Sequence, residues 1–166
     1  MIEPLQNDDD ARACAAMMIA TDPWITLRRT FDEALRSVTD PASETYVARE
    51  DGAVRGFISI NMRGAFNNGY IRIVCVAADV RGSGVGSQLV AFAEERILRT
   101  CRNVFLCVSS FNPRARALYE RLGYETVGEM RDYVIAGASE IIMRKSTGPL
   151  ITSHAYRPDP ARPDGA

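Results

Sequence analysis

The stretch VCVAADVRGSGVGSQLV, residues 74–90, predicts a strand, a short turn, a glycine-rich loop and then an amphipathic helix. Gly82, Gly84 and Gly86 occupy every second position of the loop, so no side chains shield their backbone N–H groups. A helix that begins on such a loop presents unpaired N–H donors and the positive end of its dipole. We therefore expect the loop to bind an anion, and a phosphate or pyrophosphate is the anion that suits this geometry best.

Two well-known phosphate-binding loops do not fit this stretch. A P-loop ends in Gly-Lys-Ser/Thr, and no such tripeptide follows here. The dinucleotide fingerprint needs Gly-x-Gly-x-x-Gly at the strand end and an acidic residue about 20 residues further on. In this chain the last glycine comes one residue early, and residues 101–108 contain no acid. The loop therefore belongs to another class.

A second motif, NPRARALYERLGY at residues 112–124, follows the next predicted strand. Together the two motifs resemble the GNAT superfamily of acetyl-coenzyme A-dependent N-acetyltransferases. The family's loop, Gln/Arg-x-x-Gly-x-Gly/Ala, is matched by Arg81, Gly84 and Gly86. Its downstream motif, Asn-x-x-Ala-x-x-Leu-Tyr-x-x-x-Gly-Phe/Tyr, is matched by Asn112, Ala115, Leu118, Tyr119, Gly123 and Tyr124. The clear resemblance covers residues 45–145.

The resemblance implies that acetyl-coenzyme A, the acetyl donor, lies in a wedge between two diverging parallel strands. Main-chain groups of Val74, Cys75 and Val76 would bond its pantetheine arm, as an edge strand bonds a peptide. Backbone amides of the loop would cradle its pyrophosphate, from Arg81, Gly82, Ser83, Gly84, Val85, Gly86 and Ser87. Alternatively, the Arg81 side chain is an ordinary charged group on the surface and does not contact the cofactor. Asn112 has an ordinary helix N-cap as its alternative, which is compatible with a cofactor contact.

Tyr119 is the predicted catalytic residue. In the implied reaction a neutral amine attacks the thioester carbonyl, and coenzyme A leaves as a thiolate. A thiol pKa of about 8.5 and a phenol pKa of about 10 make proton transfer from tyrosine to a bound thiolate feasible. Tyr119 would then contact the cofactor as well. Its position on the helix leaves open whether the ring faces the core or the cleft.

No general base is assigned from the sequence. Family members that acetylate protein N-termini carry a glutamate five positions before the motif asparagine, and here that position is Cys107. A cysteine in this apolar segment is expected to be a packing residue. The alternative is a nucleophile that forms an acetyl-enzyme, for which no activating histidine lies nearby in the sequence. Three acids on or near the last two predicted strands are candidates for the base: Glu129, Asp132 and Glu140. The alternative for each is an ordinary solvated position on the surface.

Recognition of the acceptor amine is expected from the N-terminal helices and the turns. Trp24, between two predicted helices, could form a wall of an acceptor pocket or fill the core. Asp132 and Tyr133, before the last strand, are a second candidate pair, with a surface turn as the alternative.

The pattern of elements predicts an α+β fold with a GNAT-like mixed sheet of six to seven strands and about four flanking helices. Most strands are expected to be antiparallel, with one parallel pair, residues 70–76 and 104–109, joined by a crossover helix. The resemblance implies that this pair is splayed around the cofactor. Residues 67–69, Asn-Asn-Gly, are expected to form the turn before the first strand of that pair. Residues 1–145 are expected to form one domain, and residues 146–166 a proline-rich tail.

Charge and composition narrow the class of protein. The 166 residues carry a net charge of −1, which indicates neither a nucleic-acid footprint nor binding to an anionic membrane. No segment approaches the ~20 apolar residues of a membrane span, and the N-terminus lacks the pattern of a signal peptide. Four cysteines without metal-binding spacing predict free, buried thiols in a reducing cytoplasm. The single histidine, His154, argues against a histidine triad and a zinc site, so no metal is expected.

The sequence thus predicts an enzyme that transfers the acetyl group of acetyl-coenzyme A to a primary amine by direct attack in a ternary complex. A small molecule or amino acid is favoured as the acceptor, because the glutamate of the protein-acetylating members is missing. The alternatives are a protein N-terminal or lysine acetyltransferase, a non-catalytic acyl-coenzyme A sensor, and a phosphate-loop protein of another type. The tail could pack across a homodimer.

Overall fold

The computed structural model describes residues 1–153. In this part of the chain seven strands form one sheet, in the order β1-β2-β3-β4-β5-β7-β6. The strands are β1 Ile2–Pro4, β2 Glu44–Glu50, β3 Ala53–Ala65, β4 Asn68–Val76, β5 Asn103–Ser109, β6 Glu125–Arg131 and β7 Ser139–Ser146. The helices are α1 Asp8–Ile19, α2 Phe31–Val38, α3 Val85–Leu98 and α4 Pro113–Arg121, with a short 3₁₀ turn at Ala78–Val80.

Neighbouring strands are antiparallel except for the parallel pair β4 and β5. The predicted fold class, including the single parallel pair and its crossover helix, is confirmed. The parallel pairing extends only from Gly69 opposite Val104 to Ile71 opposite Leu106, although β4 continues to Val76 and β5 to Ser109. The two strands therefore separate after Ile71 and leave an open wedge.

The sheet buries a hydrophobic core on each face. One core lies beneath α3 and α4, and its fully buried side chains include Ile58, Leu89 and Met143. The other lies beneath α1 and α2, and it includes Cys14 and Phe57. Both faces of β3 and β4 are thus covered, which holds the edge of the wedge rigid.

The hairpin between β3 and β4 differs from the prediction. Its turn lies at Phe66 and Asn67, whose φ angles are 49° and 57°, and Asn68 is already paired with Ala65. Gly69 was expected in the turn, but it belongs to β4. A Cβ at this position would lie 2.1 Å from Cγ2 of Ile97. Close packing of α3 on the strand therefore requires this glycine.

The last strand ends one residue later than the predicted end of the domain at residue 145. β7 extends to Ser146, one residue into the predicted tail, and residues 147–153 follow without a helix or strand. Residues 154–166, including His154, lie outside the described part of the chain. Between residues 1 and 153 no helix is long and apolar enough to cross a membrane.

Candidate active site

The glycine loop forms one wall of a cavity of about 370 Å³ at the mouth of the wedge, called here the loop cavity. Gly84 is the N-cap of α3 with a φ of 96°, and Gly82 has a φ of 90°. A Cβ at either glycine would meet no atom closer than 4.0 Å, so their left-handed backbone, rather than lack of space, requires glycine. The first N–H groups of α3 consequently face an open, anion-sized space.

Most of the predicted cofactor residues line the loop cavity. They are Val74, Val76, Arg81, Gly82, Gly84, Gly86, Ser87, Asn112 and Tyr119. Cys75, Ser83 and Val85 do not line it. Ser83 donates its hydroxyl hydrogen bond to the Val80 carbonyl at 2.7 Å, and Val85 packs against the core.

The backbone of β4 explains why Cys75 departs from the expectation. Successive residues of a strand direct their N–H and C=O groups to opposite edges. The N–H of Ala77 donates to the carbonyl of Arg55 at 2.9 Å, and Cys75 pairs with Phe57 on the same neighbour, β3. Only Val74 and Val76 therefore present their main chain to the wedge.

Arg81 is tied across the mouth of the loop cavity. Its Nε donates to the Val76 carbonyl at 3.2 Å, and its Nη2 donates to Thr21 Oγ1 at 2.8 Å. Arg114 and Arg121 of α4 also line the cavity. The sequence analysis did not identify Arg114 and Arg121 as candidate site residues, although their spacing of seven residues places both on one helix face. Three arginine side chains therefore line the cavity that the glycine loop borders.

A second cavity of about 470 Å³ lies on the other side of the wedge, and we call it the aromatic cavity because Trp24, Tyr70 and Tyr133 line it. The two cavities share five wall residues, namely Asp22, Val74, Asn112, Ala115 and Tyr119. A group bound in the loop cavity and a group bound in the aromatic cavity can therefore meet at Tyr119.

Tyr119 is buried on α4 between the two cavities. Its ring packs edge-on against Tyr124, with ring centroids 5.9 Å apart. The helix that carries it begins at Asn112, whose Oδ1 accepts a hydrogen bond from the Ala115 N–H at 3.2 Å. Burial raises the pKa of Tyr119 to about 12, so the phenol keeps its proton at neutral pH. The ring thus faces the core and the cleft at once.

Cys107 lies half-buried on β5 and lines the aromatic cavity instead of filling the core. Burial raises its pKa above that of a free thiol. A protonated thiol is a poor nucleophile, which argues against an acetyl-cysteine intermediate. All four cysteines are free, but only Cys14 and Cys75 are buried, because Cys101 and Cys107 lie at partly open surfaces.

The structure separates the candidate acids. Glu140 lines the aromatic cavity, whereas Glu129 and Asp132 line neither cavity. The Asp132 carboxylate accepts a hydrogen bond from the Gly137 N–H at 2.7 Å, which matches the surface-turn alternative. Trp24 combines its two predicted roles, since it packs against the α1–α2 core and also lines the aromatic cavity. Among residues 1–153, no three His, Cys, Asp or Glu side chains are grouped as a metal site.

Comparison with known proteins places this site in a family. The model of the acetyltransferase (GNAT) family matches residues 11–124. The chain is 34% identical over 86 residues to the 5-NmdU N-acetyltransferase of Pseudomonas phage PaMx11, which covers 51% of this chain and 59% of that protein. It is 28% identical over 148 residues to the N-alpha-acetyltransferase RimI of Mycobacterium tuberculosis, which covers 84% of this chain and 88% of that protein.

The fold is also found in solved structures. An aminoglycoside 6'-N-acetyltransferase complexed with coenzyme A superposes with a TM-score of 0.74 at 18% identity, covering 96% of this chain and 99% of that one. The resemblance seen in the two sequence motifs is confirmed, and with it the reaction class of acetyl transfer from acetyl-coenzyme A to an amine. The chain belongs to the GNAT family of acetyltransferases.

Proposed function

We propose that this enzyme acetylates the primary amine of a small molecule or amino acid by direct attack within a ternary complex. The observation that carries the proposal is the meeting of two cavities at Tyr119. One cavity has the donors and positive charge that suit a nucleotide thioester. The other is walled by aromatic rings and carboxylates, which suit an amine.

Acetyl-coenzyme A occupies the loop cavity in this proposal. Its pyrophosphate accepts hydrogen bonds from the first N–H groups of α3, beside Arg81 and Arg114. Its pantetheine arm runs along the main chain of Val74 and Val76, where β4 has separated from β5 and, in the described part of the chain, only the Val76 carbonyl already accepts a hydrogen bond, from Arg81. A structural neighbour with the same fold is an acetyltransferase complexed with coenzyme A, which supports coenzyme A as the ligand.

Tyr119 supplies the proton for the leaving group. The amine nitrogen forms a bond to the thioester carbonyl carbon, and the carbon–sulfur bond then breaks. The phenol proton passes to the departing sulfur, and the proton lost by the amine nitrogen returns the tyrosine to its neutral form through solvent. The protonated state of Tyr119 at neutral pH suits this role.

A protein N-terminus is the second candidate acceptor. The RimI relative, an N-alpha-acetyltransferase, favours it. The structural neighbour that is an aminoglycoside 6'-N-acetyltransferase favours a small molecule instead. A cytoplasmic location is proposed on the four free thiols, and homodimer formation stays a prediction.

A thiol-release assay distinguishes these functions. The enzyme is incubated with acetyl-coenzyme A and three acceptor panels: small-molecule amines and amino acids, peptides with free N-termini, and N-terminally blocked peptides containing lysine. We expect release of coenzyme A with members of the first panel. Release with only the second or third panel would assign a protein acceptor, and binding of acetyl-coenzyme A without release in any panel would indicate a sensor.

A further inference from the structure

Glu140 is an acid held in a fixed orientation inside the aromatic cavity. It lies on β7 directly opposite Ser109 of β5. The buried Ser109 hydroxyl donates to Glu140 Oε1 at 2.5 Å, and both residues line the cavity. Within residues 1–153 the structure shows no hydrogen bond or ion pair to the other oxygen, Oε2. One oxygen is therefore anchored while the second is available to a ligand.

Glu140 differs from the two arginines around the cavity, each of which has an acidic partner, and from Asp22, which is exposed to solvent whereas Glu140 is half-buried. Arg72 is neutralised by Asp40 at 2.7 Å, and Arg29 lies 3.8 Å from Glu33. The carboxylate of Asp22, at the rim, accepts two hydrogen bonds from Thr26. Glu140 has only the neutral Ser109 as partner, so its charge is not compensated by a neighbouring cation among the described residues.

The neighbours of Glu140 within the cavity are neutral. Tyr70 of β4 and Cys107 of β5 lie close enough to interact electrostatically with Glu140. Burial, together with the negative charge of Glu140, raises the pKa of both groups. Tyr133, from the loop between β6 and β7, lines the same region. An uncompensated carboxylate among neutral aromatic and thiol groups favours a cationic ligand.

We infer that Glu140 binds the ammonium group of the acceptor through Oε2 and removes its proton, and that Ser109 is the positioning residue for this carboxylate. The inference rests on the acetyltransferase function proposed above. The ammonium N–H proton passes to Oε2 and then to solvent, and this leaves the nitrogen lone pair free to attack the thioester. Tyr119 independently protonates the sulfur, so one side of the wedge accepts a proton while the other donates one.

The test uses the full chain and the most active amine found in the thiol-release assay. Glu140→Gln retains an oxygen that can accept the Ser109 hydrogen bond but removes the charge and the basicity. We expect kcat/KM for the amine to fall about 100-fold, with the affinity for coenzyme A, measured by calorimetry, unchanged. Glu129→Gln, an exposed acid of β6 that lines neither cavity, is the matched control and is expected to retain full activity.

Glu140→Ala with added sodium formate separates proton transfer from a purely structural role. We expect formate to restore part of the turnover, because a small carboxylate can occupy the vacated space. Wild-type activity in Glu140→Gln, or the absence of formate rescue in a folded Glu140→Ala variant, would overturn the inference alone. Failure of the wild-type enzyme to release coenzyme A with any amine would instead overturn the proposed function and this inference together.

Discussion

At the scale of single residues, the proposed reaction depends on two side chains with opposite tasks. Tyr119 retains its proton because the surrounding packing raises its pKa to about 12. Glu140 retains access to the aromatic cavity because Ser109 occupies only one of its oxygens. Burial favours the neutral phenol in one case, and a fixed hydrogen bond orients the carboxylate in the other.

Substitution of Tyr119 by phenylalanine tests the proton donor. We expect Tyr119→Phe to lower kcat about 100-fold because the thiolate then leaves without protonation. The affinity for coenzyme A should stay nearly unchanged, since the ring still fills the wall shared by the two cavities. The control is Tyr124→Phe, a buried tyrosine that contacts the Tyr119 ring but lines neither cavity. Equal kcat values for Tyr119→Phe and wild type would show that Tyr119 is not the proton donor.

The pH dependence of kcat provides a second test of Tyr119. A tyrosine with an ordinary pKa near 10 would lose its proton, and activity with it, above that pH. Because the pKa of Tyr119 is raised to about 12, we expect no loss of kcat attributable to Tyr119 up to pH 10.5. The kcat ratio of wild type to Tyr119→Phe, measured at each pH, should therefore remain constant from pH 7 to 10.5. A ratio that declines through pH 9–10 would contradict the raised pKa.

At the scale of elements, the glycine loop and α3 form the proposed anion-binding unit. The loop must enter the left-handed region twice, at Gly82 and Gly84, to bring the first N–H groups of the helix to the cavity. At the other end of the same helix, Ile97 packs so closely on Gly69 that a Cβ would not fit. Glycines at two places thus serve different purposes, one conformational and one steric.

Replacement of Gly84 by alanine tests the conformational purpose. The φ of 96° becomes strained, at a cost of about 1 kcal/mol. We expect the affinity for coenzyme A to fall about 10-fold as the loop relaxes, which corresponds to about 1.4 kcal/mol. Gly52→Ala, in the β2–β3 turn with a φ of 79° and no neighbour within 4 Å, is the matched control. It should lose similar stability and retain full affinity by calorimetry.

Replacement of Gly69 by alanine tests the steric purpose. The new methyl group would overlap Ile97, so α3 or β4 must shift. We expect the free energy of unfolding in urea to fall by about 1–3 kcal/mol. The double variant with Ile97→Val should recover part of this loss, because a smaller side chain relieves the overlap. Equal stability of Gly69→Ala and wild type would show that the two elements are less closely packed.

At the scale of the whole molecule, the sheet carries buried thiols in the core beneath α1 and α2. Burial is the main reason that the pKa values of Cys14 and Cys75 rise from 9.0 to about 12. The unfolded chain therefore loses these protons at a lower pH than the folded chain. Between pH 9 and 12 the unfolded state binds fewer protons, so stability falls as the pH rises.

Urea unfolding under reducing conditions measures this effect. The contribution of the thiols is fully present below pH 9, and we expect a loss of roughly 1.4 kcal/mol per thiol for each pH unit above it. The Cys14→Ala variant should show a shallower decline between pH 9 and 10.5 than wild type. Identical slopes in both proteins would show that Cys14 ionises normally in the folded state.

The amino-acid sequence determined the parts of this protein that depend on near neighbours in the chain. The helix cap at Asn112, the glycine loop and the α4 motif are each read from a few adjacent residues. The fold class could be predicted as well, because turn lengths and the crossover helix set the strand directions. Most of the residues predicted to bind the cofactor line one cavity, and they could be proposed from the sequence because they lie in two continuous segments.

Only the tertiary structure decided how the aromatic cavity, the proposed acceptor site, is assembled. Glu140 meets Ser109 through strand pairing across 31 positions of sequence, and Trp24 reaches the same cavity from the N-terminal region. Packing of α3 decided that Gly69 belongs to a strand rather than a turn, and strand alternation turned Cys75 away from the wedge. Such contacts arise from long-range pairing and shape complementarity, which leave no periodic signal in the local sequence.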